Sequence, residues 1–375
     1  MNTPRTFSRD VASVVTALAL GLALPSHAAS SNRYTVHNLV TDPGSGISAQ
    51  HQDPNLKNGW GVAFNPTGFA WVADNHTGKS TLYDGSGNVN PLVVTIPSAN
   101  GSDLGSPTGI VFSGSNTDFI VNAGGKSGPA RFIFASEDGV ISAWAPTVDP
   151  TNAIKVATNP DAVYKGLTLT GNGENFFLYA ADFRGRKIDI YDRAFQRVPS
   201  AGKFVDRNIP ADYGPFNVQN ILGNLYVTYA KKQAGSDDEM AGPGLGFVDV
   251  FDADGNLLLR LAQHGKLNAP WGVALAPTGF GRFSNQILVG NFGDGTINAY
   301  DPRTGASHGQ LKDADGKVLK IEGLWGIAFG NGVLNQPTDT LFFAAGPHDE
   351  EDGLYGRIDA QVPTGGGGND GEDDD

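Results

Sequence analysis

One phrase recurs six times along this chain. It reads "NGWGVAF" around Gly61, "SPTGIVF" around Gly109, "VYKGLTL" around Gly166, "GPFNVQN" around Asn217, "APWGVAL" around Gly272 and "GLWGIAF" around Gly326. The steps between copies are 48, 57, 51, 55 and 54 residues. A period of this size marks a repeated supersecondary unit that buries its apolar faces only against its neighbours. After each copy the apolar residues alternate with polar ones and are broken by turn residues, as in "GVAF", "AWVAD", "STLYDGSGN" and "PLVVTIP" after Gly61. That is the signature of four short antiparallel strands. Beyond the amino terminus no window supports an amphipathic helix, because Gly, Pro and β-branched residues interrupt each candidate. The expected fold is therefore all-β: a six-bladed β-propeller with four-stranded blades, over residues 33–360.

The ends of the repeat array predict how the ring closes. The sixth copy supplies only "GIAF", "TLFFAAG" and "GLYGRID", one strand short of a blade, while an orphan strand, "RYTVHNLV" (Arg33 to Val40), precedes the first copy. If the orphan completes the last blade, no long sheet edge is left open to pair with another chain.

The repeated phrase also sets what lies near the axis. Trp60, Trp271 and Trp325 begin the innermost strands of blades one, five and six, where the other blades carry Thr108, Lys165 and Phe216. The following glycine lets neighbouring backbones approach closely. Two roles suit the indoles: wedges packed between blades with their N–H groups bonded, or an aromatic rim that stacks a ligand ring at the channel mouth.

The corners between second and third strands should open on the face where the innermost strands begin. They present Asp74, Asn75 and His76; Glu137; Asp182, Phe183 and Arg184; Asn291 and Phe292; and His348. Asp74, Asn75, Glu137, Asp182 and Asn291 are the oxygen donors that a hard cation such as Ca²⁺ would take. The same residue types are also the ordinary side-chain caps of hairpin turns. His76 and His348 are the candidates for proton transfer on that face. Phe183, Phe292 and Arg184 join the three tryptophans as candidate ligand contacts. Three longer loops, around residues 122–131, 230–246 and 346–353, would roof the channel if they share a face.

Other matches carry little. "GASHG" fits G-x-S-x-G but lies in a hairpin rather than at a strand-to-helix turn, and "DADG" at Asp252 and Asp313 lacks the later ligands of a calcium loop. The formal charge of -13 disfavours nucleic acid and anionic lipid as partners. With no cysteine, disulfides, thiolate catalysis and Cys-built metal sites are excluded. Arg5 and Arg9 ahead of "VASVVTALALGLAL" and "PSHAA" read as an export leader over residues 1–28, cleaved without leaving a membrane anchor. The expected location is periplasmic or secreted. Residues 361–375, "QVPTGGGGNDGEDDD", read as an acidic disordered tail.

The "WG-aliphatic-Ala-aliphatic" repeats, with "FIFASEDGVISAW" (Phe132 to Trp144) and "LYAADFRGRKIDIYD" (Leu178 to Asp192), resemble an uncharacterised family of exported bacterial proteins with NHL-type β-propellers. Some members of that family carry a tail for surface display; this chain ends in acids instead. The resemblance spans nearly all of the chain after the leader, and implies a six-bladed propeller outside the cytoplasm but no reaction. Calcium-dependent lactonases, lyases and pure binding proteins share the architecture, which decides nothing among them. The expectation is binding of a small molecule, glycan or peptide at the channel face. A calcium-dependent hydrolase or lactonase with a channel metal and an extracellular scaffold that docks another protein are the alternatives.

Overall fold

The structure, a computed structural model, describes residue 1 and residues 31–361 apart from 102, 103 and 174. Residues 2–28 of the expected leader and 362–375 of the expected tail lie outside the described residues. Six antiparallel sheets stand around one axis, with innermost strands Gly59–Phe64, Pro107–Phe112, Tyr164–Gly171, Tyr213–Ile221, Pro270–Leu275 and Leu324–Phe329. Each begins at one copy of the repeated phrase. Blade one continues outwards through Ala70–Asp74, Lys79–Tyr83 and the short edge Val94–Thr95. Among the described residues the one helical element is a 3-10 turn at Gly281–Phe283.

The last blade is completed from the amino-terminal end. Tyr34–Thr41 pairs antiparallel with Leu354–Ala360, setting Tyr34 against Ala360 and Thr41 against Leu354, with a bulge between Asn38 and Val40. A further two-residue strand, His51–Gln52, adds in parallel outside it. Tyr34 anchors the closing strand. Its ring packs 4.9 Å from that of Phe280, and its hydroxyl donates to the Phe280 carbonyl at 3.1 Å.

Strand alternation explains why the blades adhere. In blade four Leu225 and Val227 face Tyr179, Ile188 and Ile190 of blade three, while Tyr226, Val248 and Val250 face Val273, Ile287 and Val289 of blade five. The same two-sided burial recurs at the other four blade junctions. A strand covered on both faces can be apolar at successive positions, which is why "ILVGN" and "FFLYAAD" read as nearly continuous apolar runs.

The repeated glycine has a steric cause. A Cβ on Gly61 would lie 2.7 Å from the Thr108 carbonyl oxygen of blade two, and one on Gly272 would lie 2.6 Å from the Trp325 oxygen of blade six. Gly109, Gly166 and Gly326 likewise press on the next innermost strand, Gly326 meeting the Trp60 carbonyl and so returning to blade one. Asn217 is the exception in the series. It reaches forward instead, its Nδ2 donating to the Trp271 carbonyl at 3.0 Å.

The three long loops do not share a face. Residues 122–131 belong to a hairpin, Ile120–Ala123 with Lys126–Pro129, inserted between the first and second strands of blade two, and so leave from the far end of the innermost strand. The segments 230–246 and 346–353 join second to third strands and lie over the channel mouth.

Candidate functional site

The aromatic starts of the innermost strands meet on the axis. Trp60 and Trp325 stack with ring centroids 3.5 Å apart; Trp271 stands edge-on to both at 6.1 and 5.9 Å; Phe292 stacks on Trp325 at 3.9 Å. All three indoles are buried. Trp271 Nε1 donates to the Lys165 carbonyl at 2.9 Å, and Trp325 Nε1 to Asn58 Oδ1 at 3.0 Å. Beneath them a cavity of about 20 Å³, bounded by Gly61, Gly109, Gly272 and Gly326, has room for about one water. The indoles are therefore a floor that closes the channel, not an open rim.

Above this floor stands Lys165, itself buried. Its Nζ lies 5.1 Å from the centre of the Trp60 ring and 2.6 Å from Glu137 Oε1. Burial pulls the ammonium down, but Glu137 and Glu239 outweigh it and hold the group above the usual lysine range. Lys165 thus stands above the floor as a charged anchor paired to Glu137. Glu137 Oε2 accepts from Asn75 Nδ2 at 3.0 Å, which ties blade one to the pair.

Two loops bring further carboxylates to the same place. The blade-four loop forms the short strand Glu239–Met240 against Lys231 and Lys232, and is held down by an Arg184–Asp237 ion pair with Nε to Oδ1 at 2.9 Å. Burial pushes Glu239 up to about 7, with Lys165 opposing and Glu350 adding to the rise. In the blade-six loop His348, Asp349 and Glu350 are three successive residues with φ of 56, 52 and 70°, in the left-handed region that costs an L-residue on the order of 1–2 kcal/mol. This turn brings Glu350 Oε2 to 2.6 Å from Asn58 Nδ2. Burial again raises the Glu350 carboxyl, against Asn58 and Lys165. Between the two loops lies a cavity of about 680 Å³, whose lining includes Glu239, Phe292 and Glu350.

Of the expected cation ligands, Asn75 and Glu137 come together. The others stay in their own corners. Asp182 Oδ1 accepts from Gly185 N at 2.8 Å and Val163 N at 3.2 Å, while Asn291 bonds Lys266, Asp294 and Thr296. Asp74 is fully buried within blade one; burial, partly offset by Thr81 and reinforced by Asp53, holds it well above the usual carboxylate range. These three serve as turn and blade-interior residues, and among the described residues no three His, Asp or Glu side chains converge as a metal site requires.

The remaining candidates divide in the same way. Phe183 is buried against Phe216, with Lys232 Nζ 5.4 Å from its ring centre, and Arg184 is exposed and spent on Asp237. Phe292 alone among the expected ligand aromatics lines the large cavity. His76 Nε2 lies 3.3 Å from Asn58 Nδ2, and exposed His348 holds Asp352 at 2.7 Å, which raises the imidazole above its usual range. Asn58, Glu239 and Glu350 were not singled out from sequence. Lys165 was visible there as the one charged residue in the axial series.

No family model matches the chain. It is 35% identical over 325 residues to the uncharacterized protein L690 of Acanthamoeba polyphaga mimivirus, an alignment that covers 83% of this chain and 82% of that protein. It is 34% identical over 320 residues to protein R648 of the same virus, covering 83% and 76%. These relatives are viral, where the repeat motifs had suggested exported bacterial proteins; of that resemblance the comparisons bear out the propeller. A streptogramin B lyase structure superposes with a TM-score of 0.50 at 12% identity, over 88% of this chain and 97% of that one. A Bacteroides thetaiotaomicron protein of unknown function superposes at 0.52 and 11% identity, over 87% and 76%. At such identities the structures testify to the fold alone. At 35% identity over more than four fifths of both chains, this chain belongs to the family of the mimivirus protein L690.

Proposed function

We propose that this protein binds a small polar molecule at the mouth of its closed channel, in the cavity between the blade-four and blade-six loops. One observation carries the reading: Glu239 and Glu350, which line a cavity of about 680 Å³, also interact electrostatically with buried Lys165, which is paired to Glu137 above the tryptophan floor. A pocket of this size, with an aromatic wall and convergent titratable groups, matches the general form of small-molecule sites. Export through the leader, to the periplasm or outside the cell, remains part of the proposal and is checked by sequencing the amino terminus of the mature chain.

The test is a thermal-shift screen followed by calorimetric titration of each hit. Phe292→Ala and Glu350→Gln are each expected to weaken a true ligand at least tenfold, whereas Lys126→Ala, in the hairpin on the opposite face, leaves it unchanged. Hits indifferent to both cavity substitutions would place binding elsewhere and remove the reading.

A further inference from the structure

Resting on that reading, we infer that the ligand is an organic polyamine, recognised by carboxylates around an aromatic wall. Among the described residues the cavity is lined by six acids, Asp238, Glu239, Asp294, Glu322, Asp349 and Glu350, against a single base, the exposed Lys320. An anionic ligand would meet this lining with net repulsion. A neutral polyol would satisfy hydrogen bonds and leave the negative charge uncompensated. An ammonium group supplies both the charge and the N–H donors that carboxylates, as pure acceptors, require.

Two observations independent of the acid count point the same way. The Glu239 carboxylate lines the cavity, keeps some exposure to it, and among the described residues no other residue donates a hydrogen bond to it. The cation that offsets its charge most is the Lys165 ammonium, whose own hydrogen bond goes to Glu137. A ligand cation would supply the missing partner. Phe292, stacked on one side against Trp325 and half-exposed in the cavity wall, offers a π surface of the kind that attracts ammonium groups by about 0.5–2 kcal/mol.

Size separates an organic cation from a metal. A space of about 680 Å³ is far larger than one ion needs, and no three acids or histidines among the described residues converge on a point. Carboxylates spread around such a wall suit several ammonium groups on one flexible chain.

The experiment uses the full chain and four probes in calorimetric titration at low and moderate salt: spermidine, cellobiose, citrate and Mg²⁺. Spermidine is expected to bind, more weakly as salt rises. Glu239→Gln combined with Glu350→Gln should weaken it about tenfold or more, and Phe292→Leu several-fold. Lys320→Glu should tighten it several-fold, a gain that misfolding cannot mimic. If cellobiose or citrate binds and is lost in Phe292→Leu while spermidine does not bind, the cavity reading stands and the amine is overturned. Spermidine binding that ignores all these substitutions overturns both. Displacement of spermidine by Mg²⁺ at constant ionic strength, or no response to any probe, also overturns the polyamine.

Discussion

The Lys165 ammonium sits 2.6 Å from the Glu137 carboxylate, across the junction of blades two and three, with the Trp60 ring beneath it. A buried cation so placed is held by its partners and strands them when removed. Lys165→Met is expected to cost about 3 kcal/mol, the lower end of the range for breaking a buried pair, because Glu137 keeps some access to solvent. Adding Glu137→Gln to that variant should restore at least about 1 kcal/mol. Urea unfolding of the three proteins checks this, and equal midpoints for wild type and Lys165→Met would show that the pair is idle.

Glu239 predicts a pH dependence with a definite sign. Its carboxyl is raised in the folded protein to about 7 from an ordinary value of 4.5, so between these the folded state binds more protons than the unfolded one. Stability contributed by this group is therefore greatest below about pH 4.5 and declines as pH rises to about 7. Glu239→Gln should match wild type near pH 4 and become progressively more stable than it between pH 5 and about pH 7.5. A stability difference that stays flat across this window contradicts the assignment.

The axial glycines predict a steric effect. Gly272→Ala would push a methyl group against the Trp325 carbonyl, and is expected to cost about 1–3 kcal/mol, as overpacking does. Asn217→Gly removes the bond to the Trp271 carbonyl and should cost about 1 kcal/mol. Both are read by denaturant unfolding. A neutral Gly272→Ala would mean that the innermost strands move apart more readily than their packing implies.

The architecture was legible because it depends on local, repeated features: a glycine forced by the neighbouring strand, alternation within strands, and the missing strand of blade six matched by Tyr34–Thr41. The site was legible in part. Asn75 and Glu137 lie in tight corners whose direction follows from the strands, and they do meet. Asp182 occupies an equivalent corner, yet its oxygens cap the Gly185 and Val163 amides, a choice set by the turn's own backbone. Glu239 and Glu350 stand in the runs "SDDEM" and "PHDEED", where several acids adjoin. Which of them reach the cavity is settled by the pairing of Lys232 with Glu239 and by the left-handed turn at 348–350. The tryptophan starts were found from sequence, but whether they line or fill the axis depends on how close six strands come together.

The pairing of Tyr34–Thr41 with Leu354–Ala360 also sets a schedule for synthesis. The segment made near the beginning must wait for one made near the end, more than 310 residues later by the Thr41–Leu354 partners. At translation rates of about 5–20 residues per second this is roughly 15–60 s. Throughout that interval the nascent chain carries blades with no closing neighbour, so the ring cannot close before Leu354–Ala360 has been made, and a chain interrupted before Leu354 has no partner for its own first strand.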